Sequence, residues 1–297
     1  MSEPATLDRE LLMRDFPLPE VAEDSDKEDR GRLLVVAGSR EIAGAARLAG
    51  VAGLRAGAGK LQIATAASVA PQLAIAVPEA RVVGFAESEE GCFPTEGQER
   101  LLDLARGAQA VLIGCGLQDG GPLDSLLDAL LASRIGVPLV LDAAVLGCLA
   151  SRAEAVSAWR GGAILLPHSR EMARLLECEP GEVEADPLAA TRRAAGRFNA
   201  VALVKGRFSH ISDPQGRAFR FEGGGVGLAT SGSGDTLAGI VGGLAARGAD
   251  PLTATLWGVY LHGEAGRKLA REVGRIGFLA RELLDLVPAL MELGGSR

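Results

Sequence analysis

The chain has 297 residues, a formal net charge of −7 and a pI near 5.2. Nucleic-acid-binding domains need a basic patch or stripe, so this acidic balance predicts no nucleic-acid partner. No charge-free apolar stretch reaches the roughly 18 residues of a membrane-spanning helix, and the polar first thirty residues lack the pattern of a signal peptide. We therefore expect a cytoplasmic protein without a membrane partner.

The cysteines and histidines do not form a metal-binding pattern. Their positions are Cys92, Cys115, Cys148, Cys178, His168, His210 and His262. No CxxC pair is present and the histidines are far apart, which argues against a structural zinc site. The cysteines are interpreted as reduced thiols of a cytosolic protein.

Residues 1–30 are interpreted as a polar lead-in, and residues 31–297 as one domain. From Gly31 onward, short apolar runs alternate with helical patterns. The predicted strands are Leu33–Ala37, Leu61–Thr65, Ala110–Ile113, Pro138–Leu141, Ala163–Leu166 and Val201–Val204. The predicted helices that lie between them are Ala43–Ala58, Glu99–Ala105, Leu123–Ser133, Ala144–Trp159, Ser169–Leu176 and Asp186–Phe198.

The strand candidates are apolar throughout, as expected of strands that are buried on both faces. Alternation with helices predicts an α/β fold of three layers, in which a mainly parallel sheet lies between two layers of helices. The pattern changes once, where Phe208–Ser212 and Arg217–Phe221 flank a turn sequence and predict a small hairpin within 208–221. Further helices are predicted from Ser233 to about Ala246, after Pro251 and over Phe278–Leu293.

The sharpest local motif is Gly232-Ser233-Gly234-Asp235 at the start of a predicted helix. Small residues there let backbone amides point at one place, and the first amides of a helix bind anions well. An aspartate beside bound phosphate could take a proton from an attacking hydroxyl. The alternative is an ordinary N-cap, and this motif alone does not decide between them.

A second glycine-rich segment, Gly57-Ala58-Gly59-Lys60, looks like the end of a phosphate-binding P-loop. That motif requires glycine where Leu54 stands and serine or threonine where Leu61 stands. Its loop geometry and its magnesium ligand would both be missing. We therefore reject a P-loop.

Other polar and glycine positions follow predicted strands, namely Lys205-Gly206, Gly114–Gly116, Asp142 and His168. The carboxyl ends of parallel strands meet at one edge of a sheet, where ligands of open α/β sheets bind. Each position alone could be an ordinary turn. Together they predict an active site at that edge.

In chain order these segments resemble the ADP- or ATP-dependent NAD(P)H-hydrate dehydratases, which have a ribokinase-like fold. The resemblance extends from about Lys27 to Leu293. It rests on GRLLVVAGS at 31–39, GAARLAGVAGLRAGAGKLQIAT at 44–65, AVLIGCGL at 110–117, LLPHSREMARLL at 165–176, LVKGRFSHISDPQG at 203–216, GLATSGSGDTLAGIVGGLAARG at 227–248 and VYLHGEAG at 259–266.

The resemblance implies repair of hydrated NADH or NADPH, in which ADP or ATP with Mg²⁺ phosphorylates the hydrate and phosphate is then eliminated. It implies that Asp235 is the catalytic base and contacts the hydrate. Nucleotide contacts are implied for Lys205, Gly206, Arg207, Phe208, Ser209, Gly232, Ser233 and Gly234. Contacts to the damaged cofactor are implied for Ala45, Gly116 and His168. No direct protein ligand to the metal is expected, and a homo-oligomer, favoured as a tetramer, is implied.

The chain departs from the family pattern mainly on the substrate side. The departures are Ile42, Cys115, Gln118, Ala144, Gly147, Ser169 and Arg170. They leave open two alternatives to the dehydratase. One is a small-molecule kinase of the same fold that acts on an alcohol such as hydroxyethylthiazole, and the other is a diverged nucleotide-binding protein with weak activity.

Overall fold

Side chains that alternate along the central strands pack into two apolar layers, one on each face of a sheet. Leu33 and Val35 belong to one layer, whereas Leu34 and Val36 belong to the other. All four are fully buried. Because successive side chains of a strand point to opposite faces, a run that is apolar throughout has to be covered on both sides.

The computed structural model describes residues 3–22, 24–89, 91–94 and 96–292. The strands of its sheet are β1 (Ala5–Thr6), β2 (Arg32–Val36), β3 (Lys60–Ala66), β4 (Ala80–Phe85), β5 (Ala110–Ile113), β6 (Leu139–Leu141), β7 (Ala163–Leu165), β8 (Ala200–Val204), β9 (Phe208–Ser212) and β10 (Ala218–Glu222). Their order across the sheet is β1-β10-β9-β8-β7-β6-β5-β2-β3-β4. Neighbouring strands are parallel, except that β9 is antiparallel to β8 and β10. The predicted mainly parallel sheet and its hairpin are confirmed.

The helices are α1 (Arg9–Asp15), α2 (Ala43–Arg55), α3 (Ala70–Ala76), α4 (Gln98–Arg106), α5 (Gly121–Ala132), α6 (Ala153–Ser157), α7 (Ser169–Leu176), α8 (Pro180–Ala185), α9 (Pro187–Phe198), α10 (Ser233–Ala246), α11 (Pro251–Glu272), α12 (Ala280–Leu283) and α13 (Val287–Glu292). Helices α2, α10 and α11 cover one face of the sheet, and α4, α5, α7 and α9 cover the other. Among the described residues, no helix combines the length and apolar character needed to cross a bilayer.

The predicted helix Ala144–Trp159 is wrong. The chain instead forms 3₁₀ turns over Ala143–Cys148 and Ala150–Arg152, followed by the short α6. Within the predicted range, Arg152 has φ −117° and ψ 17°, which lie outside the α-helical region and interrupt the helix there. The apolar spacing that suggested a helix reflects the buried Val145, Leu146 and Leu149, which pack inward from a tight turn.

The predicted helix Phe278–Leu293 is also interrupted. It divides into α12, a 3₁₀ turn over Leu284–Leu286, and α13, while Leu293 lies outside the described residues. Pro288 stands at the second position of α13, where the missing amide of proline is tolerated although it could not be in the middle of one long helix.

The lead-in contributes to the sheet. Strand β1 pairs in parallel with β10, and Leu12 of α1 is fully buried in the core. The indole nitrogen of Trp257 donates a hydrogen bond to the carbonyl of Phe16 over 2.7 Å. These contacts attach residues 5–16 to the end of the sheet that carries the hairpin.

Helices α2 and α10 approach each other so closely that their backbones touch. A Cβ placed on Gly239 would lie 2.2 Å from the carbonyl oxygen of Ala49, and one on Gly243 would lie 2.3 Å from that of Gly53. Both distances are shorter than van der Waals contact. Glycine in α10 therefore sets the distance between the two helices, at the expense of intrinsic helix propensity.

Gly239→Ala is expected to destabilise the protein by about 1–3 kcal/mol, because the added methyl group overpacks this contact. Thermal unfolding of the purified variant checks the prediction. Gly196→Ala in α9 is the matched control, since a Cβ there meets nothing within 4 Å and should be neutral or mildly stabilising. Equal melting temperatures for the two variants would contradict this account of the contact.

Candidate active site

The Gly232–Asp235 motif forms the turn into α10 at the carboxyl edge of the sheet. Gly232 is the N-cap residue and has φ 85°. A side chain at that position would lie 2.4 Å from the Leu48 side chain of α2, so both the backbone angle and the space require glycine. The turn places the amides of the first turn of α10, and the positive end of its dipole, at this edge.

Asp235 lies in a cluster with Asp142 and Cys115. Their side-chain oxygen and sulfur atoms are all within 4.8 Å of one another. Burial, and then the negative charge of Asp142, raise the pKa of Asp235 to about 6, although Cys115 and Lys205 partly oppose the rise. A carboxylate with this pKa is mostly ionised at pH 7, yet it holds a proton more strongly than an ordinary aspartate does.

A partly buried ion pair supports this cluster. The ammonium group of Lys205 donates a hydrogen bond of 2.7 Å to Oδ1 of Asp142, whose side chain is 3% exposed. Burial alone would lower the pKa of Lys205, but Asp142 and Glu171 outweigh burial, so this pKa lies above its usual value. Lys205 therefore stays positively charged at the end of β8.

The thiol of Cys115 is fully buried, and its Sγ lies 3.8 Å from Oδ2 of Asp142. Burial and the two nearby carboxylates raise the pKa of Cys115 well above its usual value. Sulfur is a poor ligand for Mg²⁺, which prefers oxygen, and one oxygen of Asp142 is already paired with Lys205. The three side chains are therefore a poor fit for a resident magnesium ion.

Gly116 directly follows Cys115 of the cluster, and Ala45 lies against Gly116. Gly116 has φ 63°, and a Cβ there would lie 2.6 Å from the Cβ of Ala45 and 2.7 Å from the carbonyl oxygen of Ile42. The loop after β5 therefore lies directly against the start of α2. This contact presents backbone and small side chains beside Cys115.

His168 caps helix α7. Its Nδ1 accepts hydrogen bonds from the amides of Arg170 and Glu171, over 3.1 and 3.4 Å. In return, the carboxylate of Glu171 accepts a bond of 2.8 Å from the His168 amide. These contacts hold the ring at the end of β7, where the backbone of His168 forms an isolated bridge with Lys205.

A cavity of about 1240 Å³ opens beside the cluster, between the hairpin, the glycine-rich loop 223–225 and helices α10 and α11. Its volume exceeds the usual range for small-ligand sites, so it accommodates a nucleotide-sized molecule. Eight of the residues predicted from sequence line it: His168, Lys205, Gly206, Arg207, Phe208, Ser209, Ser233 and Gly234. Ala45, Gly116, Gly232 and Asp235 are not part of its lining, and the Asp235 cluster adjoins it through Lys205 and Gly234.

Three side chains of the site were not predicted as site residues. Asp142 was placed at the correct edge, but without a role, because its pairing with Lys205 spans 63 residues. Cys115 was predicted to be a reduced thiol within the Gly114–Gly116 turn at this edge and a departure from the family pattern, but without a role. His262, whose Nε2 lies 3.0 Å from the Ser233 hydroxyl, has no local sequence signal, since a helix must fold back before the two can meet.

The sequence model of the family described as NAD(P)H-hydrate dehydratase matches residues 33–289. Over 281 residues, the chain is 45% identical to an ADP-dependent (S)-NAD(P)H-hydrate dehydratase of Xanthomonas campestris, covering 94% of each protein.

Solved structures of similar proteins share the fold of this chain. An ADP/ATP-dependent NAD(P)H-hydrate dehydratase from Bacillus subtilis, co-crystallized with ATP and Mg²⁺, matches with a TM-score of 0.80 and 30% identity, covering 94% of this chain and 95% of that one. A ribokinase-like superfamily protein from Enterococcus faecalis matches with a TM-score of 0.79 and 26% identity, covering 93% and 92%. The predicted ribokinase-like fold is confirmed.

The pKa of Asp235 is expected to fall from about 6 toward its ordinary value of 3.8 in Asp142→Asn. The substitution removes a nearby negative charge and releases Lys205 from its partner, and both changes favour the ionised form of Asp235. Carbon-13 NMR titration of the aspartate carboxyl signals measures this. Asp128→Asn is the control, because Asp128 is an exposed residue of α5 that pairs with Arg152 and not with the Asp235 cluster. An Asp235 pKa that is unchanged in Asp142→Asn would refute the coupling.

Proposed function

Because the chain belongs to the NAD(P)H-hydrate dehydratase family, we propose that it uses ADP or ATP to dehydrate hydrated NADH or NADPH, and so repairs damaged cofactor. One observation supports this above the others. Asp235, with a pKa of about 6, stands at the amino-terminal turn of α10, next to the partly buried Lys205 and a cavity of nucleotide size.

In this proposal the nucleotide occupies the cavity. Its phosphates lie toward the turn of Gly232, Ser233 and Gly234, where helix amides favour an anion. Lys205 supplies a positive charge beside them, and Gly206–Ser209 border the rest of the nucleotide. Mg²⁺ arrives as the magnesium complex of the nucleotide, with the phosphates as its ligands.

Asp235 takes the proton of the hydrate hydroxyl while the hydroxyl oxygen attacks the terminal phosphorus. A bond forms between that oxygen and phosphorus, and the bond from phosphorus to the bridging oxygen breaks. AMP leaves if the donor is ADP, and ADP leaves if it is ATP. The proton on Asp235 and the charge of Lys205 offset the charge that develops.

Elimination follows, because phosphate is a far better leaving group than hydroxide. The bond between the ring carbon and the phosphorylated oxygen breaks, and phosphate leaves with the bonding electrons. A proton passes from the adjacent carbon to the departing phosphate or to solvent, and the ring double bond returns. The protein's part is to hold the two reactants in line. We assign the substrate side to Ala45 and Gly116, which lie beside Cys115 of the cluster, and to His168, which lines the cavity next to Lys205.

A dehydratase is favoured over the kinase alternative by the extent of the similarity. A relative that is 45% identical along 94% of the chain carries the name of a dehydratase. We also propose a cytoplasmic homotetramer, on the resemblance described above. Light scattering coupled to size-exclusion chromatography measures the oligomeric state.

Recovery of the dihydronicotinamide absorbance is the test of the proposed function. Purified protein is mixed with magnesium, hydrated NADH or NADPH, and either ADP or ATP. We expect nucleotide-dependent recovery with release of phosphate, at a rate that rises with pH through about 6 as Asp235 ionises. Nucleotide binding without recovery, together with phosphorylation of a small alcohol, would instead indicate a kinase.

Asp235→Asn is expected to lower turnover at least about 100-fold, the contribution of a general base, while ADP binding measured by calorimetry is retained. Asp128→Asn, on the surface of α5, is the control and should keep full turnover. Full activity of Asp235→Asn would overturn the assignment of the base.

A further inference from the structure

A serine and a histidine are paired at the inner wall of the nucleotide cavity. Ser233 is the first residue of α10 and is 5% exposed. Its hydroxyl oxygen lies 3.0 Å from Nε2 of His262, which projects from α11. Both residues line the cavity, and neither has a part in the proton transfer described above.

His262 is uncharged in this setting. Burial lowers the pKa of His262 to about 4, with a contribution from the positive charge of Lys205, and a hydrogen bond to the Ser233 backbone only partly offsets this. A neutral imidazole has one nitrogen that donates and one that accepts. The pair can therefore form in two ways, with either Nε2 or the hydroxyl as donor.

The ligand proposed for the cavity decides between these two arrangements. Phosphate oxygens only accept hydrogen bonds, and the serine hydroxyl has a single proton. If the hydroxyl donates to Nε2, it has no proton to offer the phosphate. If Nε2 carries the proton and donates to Oγ, the hydroxyl proton is free to point at the phosphate.

We propose that His262 is a positioning residue that donates from Nε2 to the Ser233 hydroxyl, and so directs that hydroxyl to donate to the phosphoryl group that is transferred. The inference rests on the proposed function, because it uses the same nucleotide site. His262 touches neither the hydrate nor the attacked phosphorus, and Asp235 remains the base. The role of His262 is to keep one hydrogen-bond donor oriented before the nucleotide arrives.

The transferred phosphoryl group is present in ADP but absent from AMP, which makes the two nucleotides a matched pair of probes. Calorimetric titrations with magnesium are made on wild type, Ser233→Ala, His262→Met, His262→Gln and the Ser233→Ala/His262→Met double variant. We expect Ser233→Ala and His262→Met each to bind ADP about tenfold more weakly than wild type, which is the affinity that one hydrogen bond to a charged group contributes. AMP affinity should stay unchanged.

Two further comparisons show whether His262 orients the Ser233 hydroxyl or only fills space beside it. The double variant should bind ADP no more weakly than Ser233→Ala, since His262 acts only through the hydroxyl. His262→Gln should retain most of the affinity, because its amide nitrogen donates from near the position of Nε2. His210→Gln is the control histidine, on β9 outside the cavity lining, and should bind ADP as wild type does.

Three results would overturn the inference: unchanged ADP affinity in Ser233→Ala, an equal loss for AMP and ADP, or additive losses in the double variant. Unfolding temperatures without nucleotide identify a variant that folds poorly. If His262→Met folds poorly, His262→Leu, which also lacks a hydrogen-bond donor, takes its place in both comparisons. These titrations contain no hydrate, so a protein that binds ADP as expected but restores no dihydronicotinamide would refute the proposed function and leave this inference standing.

Discussion

The ion pair between Asp142 and Lys205 is the contact on which the site depends. It joins the ends of β6 and β8 across the end of β7, and the carboxylate is almost completely buried. A charge in such a place is tolerated only with its partner, because either one alone would pay the full cost of desolvation. The same carboxylate raises the pKa of Asp235 and lies against the Cys115 thiol. One side chain thus holds the cation that lines the cavity and raises the pKa of Asp235.

Much of the fold could be predicted where local pattern and tertiary environment agree. The bounds of Ala110–Ile113, Ser169–Leu176 and Ser233–Ala246 were predicted as the structure has them. A strand buried on both faces is apolar throughout, and α7 and α10 each begin at a residue suited to its cap or turn. Strand β4 was missed because it is an edge strand whose buried positions merely alternate. A helix was wrongly predicted over residues 144–159, because the apolar residues there are spaced by their burial in a tight turn and not by helical geometry.

The position of the site could be predicted because the carboxyl ends of parallel strands meet at one edge of the sheet. Together with the resemblance, this rule predicted Asp235 and Lys205 as site residues. It could not name the partners that determine their chemistry, because Asp142 is 63 residues from Lys205 and His262 is 29 residues from Ser233. Three of the departures from the family pattern have a place in the structure. Cys115 belongs to the carboxylate cluster, and Ala144 packs against the core. The backbone amide of Arg170 takes part in capping α7.

Strand β1 is only two residues long, yet it occupies the outer edge of β10. An uncovered edge strand offers free amides and carbonyls to another chain, which is a common route to aggregation. Here the strand at risk belongs to the hairpin whose Phe208, Ser209 and Phe221 border the cavity. Removal of β1 would therefore expose a free strand edge on the element that shapes the cavity. The two residues of β1 thus cover an edge prone to aggregation and support the hairpin that borders the cavity.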